Sequence, residues 1–343
     1  MAYTTINKST DYFNTKLWTG TSDSTTSVTG VGFQPDWTWI KNRSVADDHM
    51  LFDAVRGVTK RLFSNSSAAE GTDAQTLTSF DSDGFTTGNS RATGGDAGNG
   101  MVSWNWKASG STASNSNGSI NSTVSANTTA GFSIVSYTGT GANATVGHGL
   151  GAVPKLVITK NRSNANGWGV YHASVGNTKS TPLDDNLAAQ TSSAYWNNTT
   201  PTSSVFTVST GNDVNRSGDN MIAYCFAEKT GYSKFGSYVG TGNADGPFIY
   251  TGFKPAFVIL KVSSDTNDWT MFDNKRSEFN VTNKALLPNL SNTESTDHAI
   301  DFISNGFKIK DNDGTVNPNG QTMIYMAFGQ TLVGSNNIPC TAR

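Results

Sequence analysis

Apolar residues along this chain fall in short clusters that alternate with polar ones, the two-residue period of half-buried strands. PDWTWIK from Pro35 alternates in this way, with proline at the strand start, where no ladder donor is needed. HMLFD from His49, WGVYH from Trp168 and WTMFD from Trp269 predict further strands. The glycine turns Asp83-Gly84 and Asn305-Gly306 precede Phe85 and Phe307 and predict hairpins. No segment sustains a 3.6-residue apolar period; only Val55 to Ser64 and Asn283 to Leu290 have room for a helical turn or two.

The same pattern recurs three times. GFQPDWTWIKNR from Gly32, GLGAVPKLVITKNR from Gly149 and GFKPAFVILK from Gly252 share a register set by Pro35, Pro154 and Pro255. Lys41, Lys160 and Lys261 then fall at one position, and Asp53, His172 and Asp273 at another. Upstream, LWTGT, SYTGTG and SYVGTG predict an aromatic strand ending in a glycine turn; downstream, MVSWNW, MIAYCF and MIYMAF predict an apolar closing strand. The spacing predicts an all-β protein of three tandem β-sandwich repeats, jelly-roll or lectin-like, over 1–107, 119–228 and 229–333, with a C-terminal tail over 334–343. Residues 108–118, ASGSTASNSNG, have linker composition, so the first repeat is expected to swing more freely than the other two.

Composition narrows the class further. The 45 Thr, 39 Ser, 35 Asn and 35 Gly are nearly half of the 343 residues, as turns and strands require, while 8 Trp, 10 Tyr and 18 Phe in discrete clusters exclude a disordered chain. A net charge of −2 draws the protein neither to nucleic acid nor to an anionic membrane. The start, MAYTTINKSTDYFN, lacks the apolar core of a secretory signal, and no apolar run approaches a membrane span, which predicts a soluble protein made in a cytoplasm. Cys225 and Cys340 are too few for a disulfide framework and are read as free thiols.

Motifs that carry chemistry are scarce. There is no nucleophile elbow, phosphate loop, zinc-protease helix or paired-cysteine motif, so neither catalytic residues nor a cofactor are expected. Gly139-Thr-Gly141 and Gly240-Thr-Gly242 lack a third glycine and a following helix, and read as turns. Asp311-Asn312-Asp313-Gly314 opens like a calcium loop but lacks its closing glutamate, so a hairpin tip is expected. His148 and His172 lack a third ligand, and no metal site is expected. The repeated Lys41, Lys160 and Lys261 against Asp53, His172 and Asp273 predict a cross-strand ion pair that pins register, with a recurring ligand pocket as the alternative. Trp37 and Trp39 are read as facing opposite sides of one strand, at most one of them core and the other free to form an exposed platform. Tyr195 and Trp196, in SSAYWNNTT, are the candidate exposed ligand-binding aromatics, with a subunit contact as the alternative.

The strings TDYFNTKLWTGTSDSTTSVTGVGFQPDWTWIKNR, LFDAVRGVTKRLFSN, SFDSDGFT and VSWNWKA resemble a repeat widespread in tailed phages of marine bacteria and cyanobacteria. GFSIVSYTGTGANATVGHGLGAVPKLVITKNRS is similar to the second unit of the same family. The third copy departs from it, with KVSS from Lys261 in place of KNR. The resemblance implies a virion structural protein on the exterior of tail or head and supplies no catalytic residues. A tail fibre or tail-associated receptor-binding protein is the leading reading, with capsid decoration or another accessory virion role as the alternative and a glycan depolymerase the least favoured. The expected partners are other virion proteins, a host cell-surface glycan and further copies of the chain, in a homo-oligomer such as a trimer; neither nucleic-acid binding nor membrane insertion is expected.

Overall fold

The computed structural model describes residues 4–331. Three antiparallel sheets share one strand order. In each, a long closing strand, Gly100–Trp106, Asn220–Phe226 or Thr322–Gly329, lies between two partners. On one side is the aromatic strand Phe13–Thr19, Phe132–Thr138 or Ser233–Val239. On the other is the strand carrying the repeated lysine, Trp37–Asn42, Leu156–Asn161 or Pro255–Val262, followed by Met50–Asp53, Trp168–His172 or Thr270–Asp273.

These strands are buried on both faces, which is why their apolar runs are nearly continuous. One face of all three sheets enters a single central core, where Trp106, Phe226 and Phe328, the last aromatics of the three closing strands, form a triangle with ring centroids 5.7 to 6.4 Å apart. Trp37 stacks on Tyr224 at 4.5 Å, and Phe13 on Phe328 at 5.0 Å. The opposite face of each sheet is covered by a small outer sheet. Thr26–Thr29 with Gly84–Thr87 and Leu77–Asp81 covers the first, Ala144–Gly147 with Val205–Val208 the second, and Phe248–Tyr250 with Gly306–Ile309 and Ile300–Ile303 the third. Each pair encloses its own smaller core, with Phe52 in the first, Cys225 in the second and Phe272 in the third. Cys225 is a buried free thiol; Cys340 lies outside the described residues, as does the whole of the expected tail over 334–343.

Several expectations change. Residues two apart on a strand point to the same face, so Trp37 and Trp39 both enter the central core and neither is a platform. The first sheet is not free to swing, since Trp37 and Trp106 pack directly on rings of the other two. The 108–118 segment is also partly tied down: Asp36 accepts the Ala108 amide at 2.7 Å, and Ala113–Asn115 is an edge strand on Ser122–Asn127. Neither of the two segments with room for a helical turn forms a helix. Gly57 and Thr59 take positive φ before the strand Lys60–Phe63, and the backbones of Ala285 and Leu286 pair with Ser295 and Met271. The α-helical turns are instead Ser193–Trp196 and Asn212–Asn215. Asp83-Gly84 and Asn305-Gly306 do close hairpins. Asp311 to Gly314 is a turn between an outer-sheet strand and a closing strand of another sheet, not a hairpin tip.

Candidate functional site

The repeated lysines are fully buried, and their ammonium groups donate to backbone carbonyls rather than to Asp53, His172 or Asp273. Lys41 reaches Asn42 O at 2.6 Å, Lys160 reaches Ser67 O at 2.8 Å and Asn166 O, and Lys261 reaches Asn267 O at 2.6 Å and Asn186 O at 3.0 Å. Burial lowers all three to about 8. The expected cross-strand pair is excluded by register. Asp53 stands opposite Trp37, His172 opposite Leu156 and Asp273 opposite Phe257, each at the far end of the strand from its lysine.

The Asp and His positions instead face the next sheet. Asp53 pairs with Arg56 and accepts Tyr224 Oη at 2.7 Å; Asp273 pairs with Arg276 at 2.5 Å and accepts Trp104 Nε1 at 3.0 Å. Each arginine also meets a carboxylate, Glu70 or Glu294, that a second arginine grips with two bonds: Arg162 on Glu70 at 2.9 and 3.0 Å, and Arg43 on Glu294 at 2.8 and 2.8 Å. Burial opposes charge on Glu70 and Glu294, but the arginines outweigh it and hold both below the usual carboxylate range. The third junction keeps the backbone geometry without the charges. Ala189 N donates to Ser263 O at 2.9 Å, as Glu70 N does to Arg162 O and Glu294 N to Arg43 O. There His172 Nε2 donates to Tyr325 O at 3.1 Å while Nδ1 accepts the Ser174 amide, which fixes a neutral ring whose burial lowers it to about 4. The loss of KNR in the third copy therefore coincides with the loss of its glutamate partner: Ser263 faces Ala189 where arginine faces glutamate elsewhere. The six repeated positions are internal ties, and none lines an open pocket on the surface.

Trp196 is 2% exposed and sits in the second outer core, edge-to-face on Tyr171, so it cannot serve as a surface platform. Tyr195 is half-buried and its hydroxyl lies 3.4 Å from Asp213. Burial raises Asp184 and Asp213, and raises Tyr195 to about 12. This cluster has structural counterparts. Asp184 accepts the Trp168 amide as Asn65 accepts that of His49 and Asn289 that of Trp269. Those asparagines donate to Asp48 and Asp268, whereas Gly167 stands at that position in the second copy and Asp213 approaches it from the Asn212–Asn215 turn. The two glycine turns are likewise locked, Thr140 N and Thr241 N donating to the buried Asn215 and Asn317.

What remains at the surface is asymmetric. Among the described residues every exposed large aromatic lies in the third copy: Phe248 at 47%, Tyr250 at 61% and Phe279 at 75%. Phe248 and Tyr250 flank the inward Ile249 on an outer-sheet edge strand, so both point outward. Ile249 faces Phe307 as Val28 faces Phe85 and Val146 faces Phe206, which places Ser27 and Thr29, and Thr145 and Gly147, at the matching positions of the other copies.

A protein-family model described as Domain of unknown function (DUF7483) matches residues 8–331. The chain belongs to that family. No curated protein matches it. In this DUF7483 member the matched span takes in all three inner sheets and the exposed aromatic strand. Sequence reasoning missed Phe248 and Tyr250 although a signal was present: PFIY carries aromatics where TSVT and ATVG carry small polar residues, a difference that emerges only once the outer strands are in register. The inter-sheet ties had no local signal, because Glu70 and Arg162 are 92 residues apart.

Proposed function

We propose that this protein is a virion structural protein that binds a cell-surface glycan, as a tail fibre or tail-associated adhesion protein does, through the outer sheet of its third copy. The observation that carries the binding part is the confinement of exposed aromatics to that copy. Elsewhere the same positions are Ser, Thr or Gly, and no described aromatic of the other two copies is more than partly exposed. Two outward rings two residues apart on one strand offer apolar faces to the C–H faces of sugars, on a scaffold made rigid by its shared core. Uncovered aromatics carry a standing aggregation risk, which makes them informative about binding. The resemblance to tailed-phage repeats supports the virion part.

The test is a glycan array with the full chain and its Phe248→Ala/Tyr250→Ala variant, alongside mass spectrometry of purified phage particles. Glycan binding that falls at least tenfold in the variant, with melting unchanged, is the expected result. Binding that is indifferent to the double substitution would remove this strand from the site. Particles that never contain the chain would end the virion reading.

A further inference from the structure

A groove of about 440 Å³ opens where the first and third inner sheets meet, with Leu17 and Arg43 on one side and Lys275, Glu278, Phe279 and Lys284 on the other. Arg43 and Arg276, at its base, are both committed, Arg43 to Glu294 and Arg276 to Asp273 and Glu294. Lys275 and Lys284 are not committed. Neither ammonium group makes an ion pair or a hydrogen bond among the described residues, although both line the same concavity. With Arg43 and Arg276 balanced by Glu294 and Asp273, Lys275 and Lys284 stand against Glu278 alone, a local excess of positive charge in a molecule whose net charge is −2. Lys275 is exposed and Lys284 half-buried, so both ammonium groups are within reach of a ligand in the groove. Phe279, the most exposed large hydrophobic residue of the described chain, stands beside them.

We propose that this groove binds an acidic glycan, with Lys275 and Lys284 meeting carboxylate or sulfate groups and Phe279 lying against the C–H face of a sugar ring. The inference rests on the glycan-binding reading above and adds a second contact site, separate from Phe248 and Tyr250, and the charge of the ligand. A neutral sugar would displace water from the two ammonium groups without supplying a counter-charge, whereas an anionic sugar supplies one and gains charge-assisted hydrogen bonds. Carboxylate and sulfate present the same chemistry to lysine, so the test carries both.

The experiment is titration calorimetry on the full chain with three hexasaccharides of equal length: oligogalacturonate, a sulfated glucan and the unmodified neutral glucan. The expected result is at least tenfold tighter binding of one acidic sugar than of the neutral one, weakening as salt rises. Lys275→Gln/Lys284→Gln should bring acidic binding down to the neutral level with melting unchanged, and Phe279→Ala should weaken both. Equal affinity for acidic and neutral sugars, or a preference that survives the double lysine variant, overturns the proposal while leaving glycan binding intact. If no sugar binds at all, the glycan reading falls with it. A ten-nucleotide single strand that binds more tightly than either acidic sugar would also overturn it, in favour of a nucleic-acid ligand.

Discussion

His172 occupies a position held by aspartate in the other two copies, and burial lowers its pKa to about 4. A histidine that titrates near 6.5 when unfolded and near 4 when folded binds its proton more readily in the unfolded chain. Its contribution to stability is therefore complete above pH 6.5 and is lost as pH falls toward 4, by on the order of 3 kcal/mol for a shift of this size. Asp36, Asp184 and Asp213 are raised and act in the opposite sense over part of that range, so the informative quantity is a difference between proteins. Melting measured from pH 4.5 to 6.5 should rise more steeply in the wild type than in His172→Gln; equal slopes would mean that His172 is protonated without penalty in the fold. At this scale the sequence was only half legible. The repeated lysines and acids announced themselves by spacing, but which group each would meet depended on contacts between sheets.

Strands were the most legible elements. Apolar alternation, start prolines and glycine turns located the inner strands because those features report local backbone geometry. Trp196 went astray for the opposite reason. SSAYWNNTT reads as a polar loop, yet Ser192 caps a single helical turn that swings the indole into the outer core. The junctions between elements yield a prediction of their own. Since Ala189 and Ser263 already share the backbone bond that Glu70 shares with Arg162, Ala189→Glu with Ser263→Arg should build the missing pair. A double-mutant cycle in urea should give a favourable coupling of about 0.5 to 1 kcal/mol, in the range of partly exposed bidentate pairs. A coupling near zero would show that the third junction differs in geometry as well as in charge.

In the whole molecule, the central core joins what the sequence presented as a string. Linker composition at 108–118 suggested independence, but composition cannot register that Trp106, just before it, ends in a triangle with Phe226 and Phe328. With that core shared, calorimetry should show one cooperative transition with equal calorimetric and van't Hoff enthalpies. The excised segment 1–107 should fail to fold, its Trp37, Trp104 and Trp106 uncovered. A separate early transition would restore the independent first repeat.

The short connection between the second and third sheets, residues 227–232, changes what the junction between them has to achieve. Two separate chains meeting there would need enough affinity to associate at cellular dilution. Two segments of one chain meet at the effective concentration set by their tether, of millimolar order for a short link. A link of the same length, 107–112, joins the first and second sheets, where arginine and glutamate are kept, so a tether lowers the demand on charge at a junction without replacing it, and only the first and third sheets meet with no direct link. The third copy, which lacks the junction arginine, is also the one whose outer face carries the exposed aromatic rings.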